Sequence, residues 1–174
     1  MSDHAGSVLR LLESRGRELY ALLVRITLRE DVGEDLLQEL FVRLTKSPEF
    51  TGADNQFAYA RTCAARLAFD WRRRNKVRNA ESLTAEPCGV DDSPLASVIH
   101  AEEIENVLEA IGQLNSADCD ILTMRFLEGV SYEEIAEELN TSPATARSRC
   151  SKAMQKLRGK LNALPVREDL KGTS

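Results

Sequence analysis

The chain has 174 residues, 43% of them hydrophobic, enough for one sizeable domain or two small ones. Its formal net charge of −5 excludes a protein coated all over with positive charge, so any nucleic-acid contact must come from local basic stretches. Four cysteines without a CxxC pair (Cys63, Cys88, Cys119, Cys150) and only two histidines, His4 and His100, speak against a zinc site.

Three of the cysteines fall at or beside apolar positions of predicted helices, as reduced core thiols or a sensing pair would. No apolar run is long enough to span a bilayer, and "MSDHAGSVLR" lacks the charged-then-apolar order of a signal peptide. A cytoplasmic protein is expected. Apolar residues recur at helical spacing nearly throughout, without the alternation of a half-buried strand, so the fold class is all-α.

A first helix is predicted over 6–28, lined by Val8, Leu12, Leu19, Leu22, Leu23 and Ile26. Asp31 and Glu34 stand as N-cap and third position of a second helix, whose stripe is Leu36, Leu37, Leu40, Phe41 and Leu44. Opposite that stripe lie Asp35, Gln38 and Glu39, a patch suited to a protein partner, or else a plain solvated face. "KSPEFTGAD" is read as a loop, and a third helix over about 55–78 repeats Phe57, Ala60, Ala64, Leu67, Ala68 and Trp71 on its buried side. These helices form a first domain over 6–78. The Pro-, Gly- and Ser-containing stretch 79–96 reads as a mobile linker, and a second domain is expected over 97–161, ahead of a frayed tail at 162–174.

In the second domain Ser93 and Pro94 restart the helix, and Ile104, Val107, Leu108, Ile111 and Leu114 give it an apolar face. A capped helix then ends at Gly129, and Ser131 with Glu134 forms a capping box for the next. That helix packs Tyr132, Ile135, Ala136 and Leu139. After "NTS", Ser142 caps and Pro143 opens a final helix. Two helices so closely joined have the grammar of a helix-turn-helix. In the last one Ala146, Cys150, Ala153 and Leu157 share one side, while Arg147, Ser148, Ser151, Lys152 and Gln155 project to the other. From Ser142 to Lys160 there are six basic residues and no acid, a segregation that favours DNA over a solvated charge face. Arg147, Ser148 and Lys152 fall nearest base edges, and Arg149 on the shoulder suits a phosphate.

The third helix ends in "DWRRRNKVR". Five cations exceed what the helix dipole requires, although a basic C-terminus is favourable on that ground alone. Tyr59, Arg66 and Arg73 recur every seven residues, away from the Phe57 and Leu67 stripe. An outward aromatic above outward arginines is a platform for unstacked bases and phosphate, or an exposed tyrosine without a role.

These stretches resemble a known family. "EDLLQELFVRL" resembles the segment of bacterial RNA polymerase sigma factors that binds the polymerase clamp, "FAYARTCAARLAFDWRRR" is similar to their promoter-melting, −10-reading helix, and "LEGVSYEEIAEELNTSPATARSRCSKAMQKLR" to their −35-reading helix-turn-helix. The short linker points to the extracytoplasmic-function type, which keeps two helical domains, sigma regions 2 and 4. The resemblance implies core RNA polymerase as partner through Asp35, Gln38 and Glu39. It implies a grip on the melted −10 non-template strand by Asn55, Tyr59, Arg66, Trp71, Arg72, Arg73 and Arg74, and on duplex −35 DNA by Ser142, Thr145, Arg147, Ser148, Arg149, Ser151 and Lys152. An anti-sigma factor is a further expected partner. Arg66 stands where the family usually has asparagine, Tyr59 where tryptophan is common, and Ala144 and Ala146 replace glycine and valine.

No catalytic residues, metal or cofactor are expected, since neither histidine has a helix context that assembles an acid–base constellation. The main alternative is a dimeric helix-turn-helix regulator that binds a palindromic operator without joining polymerase. An RNA-binding adaptor would leave the tight turn unexplained.

Overall fold

The structure, a computed structural model, describes residues 2–81 and 94–163, and every regular element among them is helical. In chain order these are α1 (Ser2–Thr27), α2 (Glu30–Lys46), α3 (Pro48–Gly52), α4 (Gln56–Glu81), α5 (Pro94–Gly112), α6 (Ser116–Leu122), a π-type turn over Thr123–Leu127, α7 (Tyr132–Glu138) and α8 (Pro143–Ala163). Cys88, Ser93 and the tail beyond Ala163 lie outside the described residues. So does most of the expected linker, of which 79–81 and 94–96 belong to helices.

The first core forms where α1, α2 and α4 meet. Leu19, Leu22, Leu23 and Ile26 of α1 close on Leu36, Leu40 and Leu44 of α2 and on Ala60, Ala64, Leu67 and Ala68 of α4. The small α4 residues let that helix lie close to its neighbours. Gly33 serves the same end between α1 and α2, because a Cβ there would stand 2.6 Å from Cγ2 of Val24. Leu12, Leu37, Phe41, Phe57 and Trp71 pack only partly buried at the rim, and the Arg15 guanidinium covers the Phe57 ring at 3.9 Å.

Several local expectations are corrected. α1 begins at Ser2 rather than residue 6. α2 is not capped by Asp31: its N-cap is Arg29, which makes no side-chain cap bond, and Asp31 lies in the first turn with its carboxylate 2.6 Å from the Arg29 guanidinium. The helix starts two residues earlier than the motif suggests, following Leu28, which takes a left-handed φ of 59°. The stretch read as a loop holds α3, capped by Ser47 and anchored by the fully buried Phe50. Ile104 is 49% exposed and does not share the α5 face formed by Leu108 and Ile111.

The second core follows the sequence closely. Asn115 caps α6 by accepting from Asp118 N at 2.9 Å, and Gly129 takes φ 72°, where a side chain would be strained. Ser131 and Glu134 form the reciprocal capping box. Ile135 and Ala136 of α7, Ile121 and Leu122 of α6, and Leu108 and Ile111 of α5 bury against Ala146, Cys150, Ala153 and Leu157 of α8. The buried residues of both halves join into one contiguous cluster. The connection runs through α4, which buries Arg61, Ala65 and Phe69 on a second face toward the C-terminal half.

Candidate nucleic-acid and polymerase interfaces

The turn between α7 and α8 is built as the sequence implies. Asn140 takes φ 48°, Thr141 N donates to Ala136 O at 2.8 Å, and Ser142 Oγ accepts from Thr145 N at 3.1 Å ahead of Pro143. With Ala146, Cys150, Ala153 and Leu157 buried, Arg147, Ser148, Arg149, Ser151 and Lys152 all stand exposed along the outer face. Arg147 is held by α7: it lies 3.2 Å from Glu133, with its guanidinium carbon 5.4 Å from the Tyr132 ring centroid. Ser142 and Thr145 share a hydroxyl contact of 2.9 Å, so both belong to the cap as well as to the surface. Further along, Lys156 pairs with Asp118 of α6 at 2.5 Å.

The α4 residues are not brought together in the same way. Asn55 caps the helix, its side-chain oxygen accepting from Ala58 N at 2.9 Å. Tyr59 is not the outward aromatic expected from its heptad: its hydroxyl meets Ser47 Oγ at 2.9 Å and its ring lies 6.2 Å from that of Phe50. α3 draws it inward. Arg66 and Arg73 do point outward, with side chains 58% and 68% exposed, and Arg74 is exposed beside them. Arg72 departs most from expectation. Its side chain is 12% exposed, donates to Ile26 O at 3.1 Å and Glu105 O at 3.3 Å, and pairs with the Glu105 carboxylate.

Trp71 and Arg74 line a cleft of about 300 Å³ with Asp35, Glu39 and Arg78. Of the acidic patch, Asp35 and Gln38 are exposed, whereas Glu39 is paired with Arg43 at 2.7 Å. The patch therefore borders the basic end of α4, with Val42 exposed on the same helix.

A residue the sequence reading did not select, Arg61, sits between the two halves with its side chain 7% exposed. It pairs with Glu138 and lies 3.4 Å from Glu128, whose Oε2 has no hydrogen-bond partner. Burial pushes the Glu128 carboxyl up to about 7, outweighing the nearby arginine, and burial also raises that of Asp120. The available signal was an apolar run at Ala58, Ala65 and Phe69 on the face that carries Arg61. The thiols of Cys63 and Cys119 are raised by burial as well, Cys119 to about 11, which keeps both protonated and weakly nucleophilic. Among the described residues no His, Cys, Asp and Glu cluster could hold a metal ion, and no helix is long and apolar enough to cross a membrane.

Two helical units, one ending in a helix-turn-helix with a basic outer face, have the build of a DNA-binding protein. The model of sigma-70 region 2 matches residues 11–78 and that of sigma-70 region 4 matches residues 104–157. Together these matches take in well over half of the chain. It is 26% identical to the ECF RNA polymerase sigma factor SigX of Bacillus subtilis, over 92% of this chain and 85% of that protein. It is 29% identical to the ECF RNA polymerase sigma-E factor of Haemophilus influenzae, over 88% and 87%. A solved structure, the sigma factor RpoE with the anti-sigma factor NepR from Bartonella quintana, aligns with 95% of this chain and 100% of that one at 20% identity and a TM-score of 0.47. The chain belongs to the sigma-70 family of RNA polymerase sigma factors, of the extracytoplasmic-function type.

Proposed function

We propose that this sigma factor, once bound to core RNA polymerase, directs promoter-specific initiation by holding DNA at two points. α8 lies in the major groove of the −35 duplex, with Arg147, Ser148 and Lys152 toward base edges and Arg149 and Ser151 toward phosphates, while Ser142 and Thr145 set the angle of entry. α4 and the segment before it hold the −10 non-template strand through Asn55, Tyr59, Arg66, Trp71, Arg73 and Arg74, with Arg72 joining them when its pairing to Glu105 is broken. Asp35, Gln38 and Glu39 dock on the polymerase. No covalent step is assigned to the chain: stacking of flipped bases and the energy of polymerase binding offset the cost of unpairing, and nucleotide addition belongs to the partner. Such a protein works in the bacterial cytoplasm, with an anti-sigma factor as a further candidate partner.

The observation that carries the reading is the acid-free outer face of α8, exposed while the opposite stripe is fully used in packing. Co-purification with core polymerase, followed by selection of promoter fragments by the complex, tests it. Retention of the chain by core enzyme and enrichment of two-element promoters are expected. A dimer that binds a palindrome and ignores core enzyme would overturn it.

A further inference from the structure

α3 spans five residues, too few to hold a helical shape by themselves, so its position is set by the side chains that tie it down. Phe50 is its anchor, fully buried and in contact with two rings. His4 of α1 stands edge-on to it at 5.9 Å, and Tyr59 of α4 meets it at 6.2 Å. On the Tyr59 side the tie is completed by Ser47, whose hydroxyl accepts from Phe50 N at 3.3 Å and meets the Tyr59 hydroxyl.

The other tie is His4, which has no part in the interfaces described above. Its Nε2 lies 2.8 Å from the carbonyl oxygen of Leu44, in the last turn of α2, and its Nδ1 meets the Thr51 hydroxyl of α3. A carbonyl can only accept, so Nε2 carries a hydrogen, and in the neutral ring Nδ1 accepts from Thr51. One imidazole thus joins α1, the end of α2 and α3, across 40 and 47 positions of chain. The side of this segment turned away from the anchor is open: Lys46, Thr51, Gly52, Asp54 and Asn55 are exposed, and a Cβ added to Gly52 would meet nothing within 4 Å.

We infer that His4 is a positioning residue for −10 discrimination: it fixes α3 through Thr51 and Phe50, without touching DNA, so that the exposed side of 46–55 meets an unpaired base in one geometry. The inference rests on the reading of this segment, with α4, as the surface that holds the −10 strand. Selection among bases needs hydrogen-bonding groups held in register, whereas charge holds a strand of any sequence. A five-residue helix loosened from one tie loses the first and keeps the second. His4 therefore bears on which base is accepted rather than on whether the strand is held.

The test uses the chain assembled with core RNA polymerase and promoter libraries randomised at −10 or at −35, with His4→Ala, His4→Gln, Thr51→Val and the double variant His4→Ala/Thr51→Val. The Gln amide supplies a donor for Leu44 and an acceptor for Thr51, and Val keeps the shape of Thr51 at an exposed position where folding is not at risk. His4→Ala should flatten the base preference at −10 about fivefold, the effect of losing one ordinary hydrogen bond. Preference at −35 and retention on core enzyme should stay at the parent's values. Thr51→Val should do the same, the double variant should lose no more than either single change, because both cut one tie, and His4→Gln should recover much of the preference. Parent-like −10 preference in both His4→Ala and Thr51→Val would overturn the inference and leave the proposed function intact. Losses that add in the double variant would put Thr51 on the DNA directly and overturn it too. An equal decline at −10, at −35 and in core retention for His4→Ala, with Thr51→Val unchanged, would reduce His4 to stability alone. A parent complex without any −10 preference would instead overturn the reading of the segment itself.

Discussion

α4 and α8 each gather arginine and lysine on a long helix, yet α8 is buried along a single stripe and α4 along two. The stripe of α8 is Ala146, Cys150, Ala153 and Leu157, which leaves the whole opposite side to its cations. α4 buries Ala60, Ala64, Leu67 and Ala68 against α1 and α2, and Arg61, Ala65 and Phe69 against the second domain. Its basic residues are therefore divided between a seam, where Arg61, Arg72 and Lys76 meet carboxylates, and an outer sector where Arg73 and Arg74 stand exposed, with Arg66 at the edge, exposed but paired with Asp120. Availability of charge for a ligand depends on how many faces of a helix are used in packing, and composition does not report that number.

The largest effect expected is on the scaffold under α4. Leu40→Ala empties a fully buried site and should cost about 2–5 kcal/mol, read as a fall in the unfolding midpoint in urea. Duplex binding through α8 should survive at concentrations of urea where single-strand binding is lost; simultaneous loss of both would mean that the shared core makes the halves unfold as one unit.

Lys152→Ala should weaken −35 duplex binding by the polymerase complex by about 1–3 kcal/mol while leaving retention on core enzyme unchanged, measured by competition on promoter fragments. Equal loss of both would point to misfolding of α8 rather than a lost contact.

A pH series sharpens the seam side of the comparison. Glu128 faces Arg61 of α4, Glu138 of α7, and Arg25 and Glu18 of α1, and burial raises its carboxyl from the ordinary 4.5 to about 7. The folded chain thus binds this proton more tightly than the unfolded chain, so the contribution to stability is full below 4.5, falls as pH rises toward 7 and is lost above. Asp120, raised for the same reason, acts in the same direction. Urea unfolding at about pH 6 and about pH 8 should find the lower midpoint at the higher pH; Glu128→Gln should flatten most of that difference.

The smallest effect expected is at the caps. Ser131→Ala removes the side-chain half of the capping box under the helix-turn-helix, leaving the Ser131 N–H to donate to Glu134, and should cost about 1 kcal/mol by thermal unfolding, with little change at α4.

Much of this fold was legible in the chain. The caps at Ser131 and Ser142, Pro143 as a first helical residue, Gly129 at its left-handed turn and the two sides of α8 all follow from local chemistry, because a cap or a helical stripe is decided within a few residues. Where a neighbour along the chain competed, the local signal misled: Arg29 took the Asp31 carboxylate, and Ser47 with Phe50 drew Tyr59 out of the surface.

What the sequence determined by itself was the helical architecture, the order of its motifs and the basic outer face of α8, since helical periodicity states which residues share a side. Only the tertiary structure decided what covers each side. Arg61 meets Glu138, 77 positions away, and Arg72 meets Glu105, 33 away, and no local pattern encodes such a meeting. Periodicity can reveal a second face on α4; its partner is fixed only when two cores, an arginine-rich helix and a set of facing carboxylates come together in space.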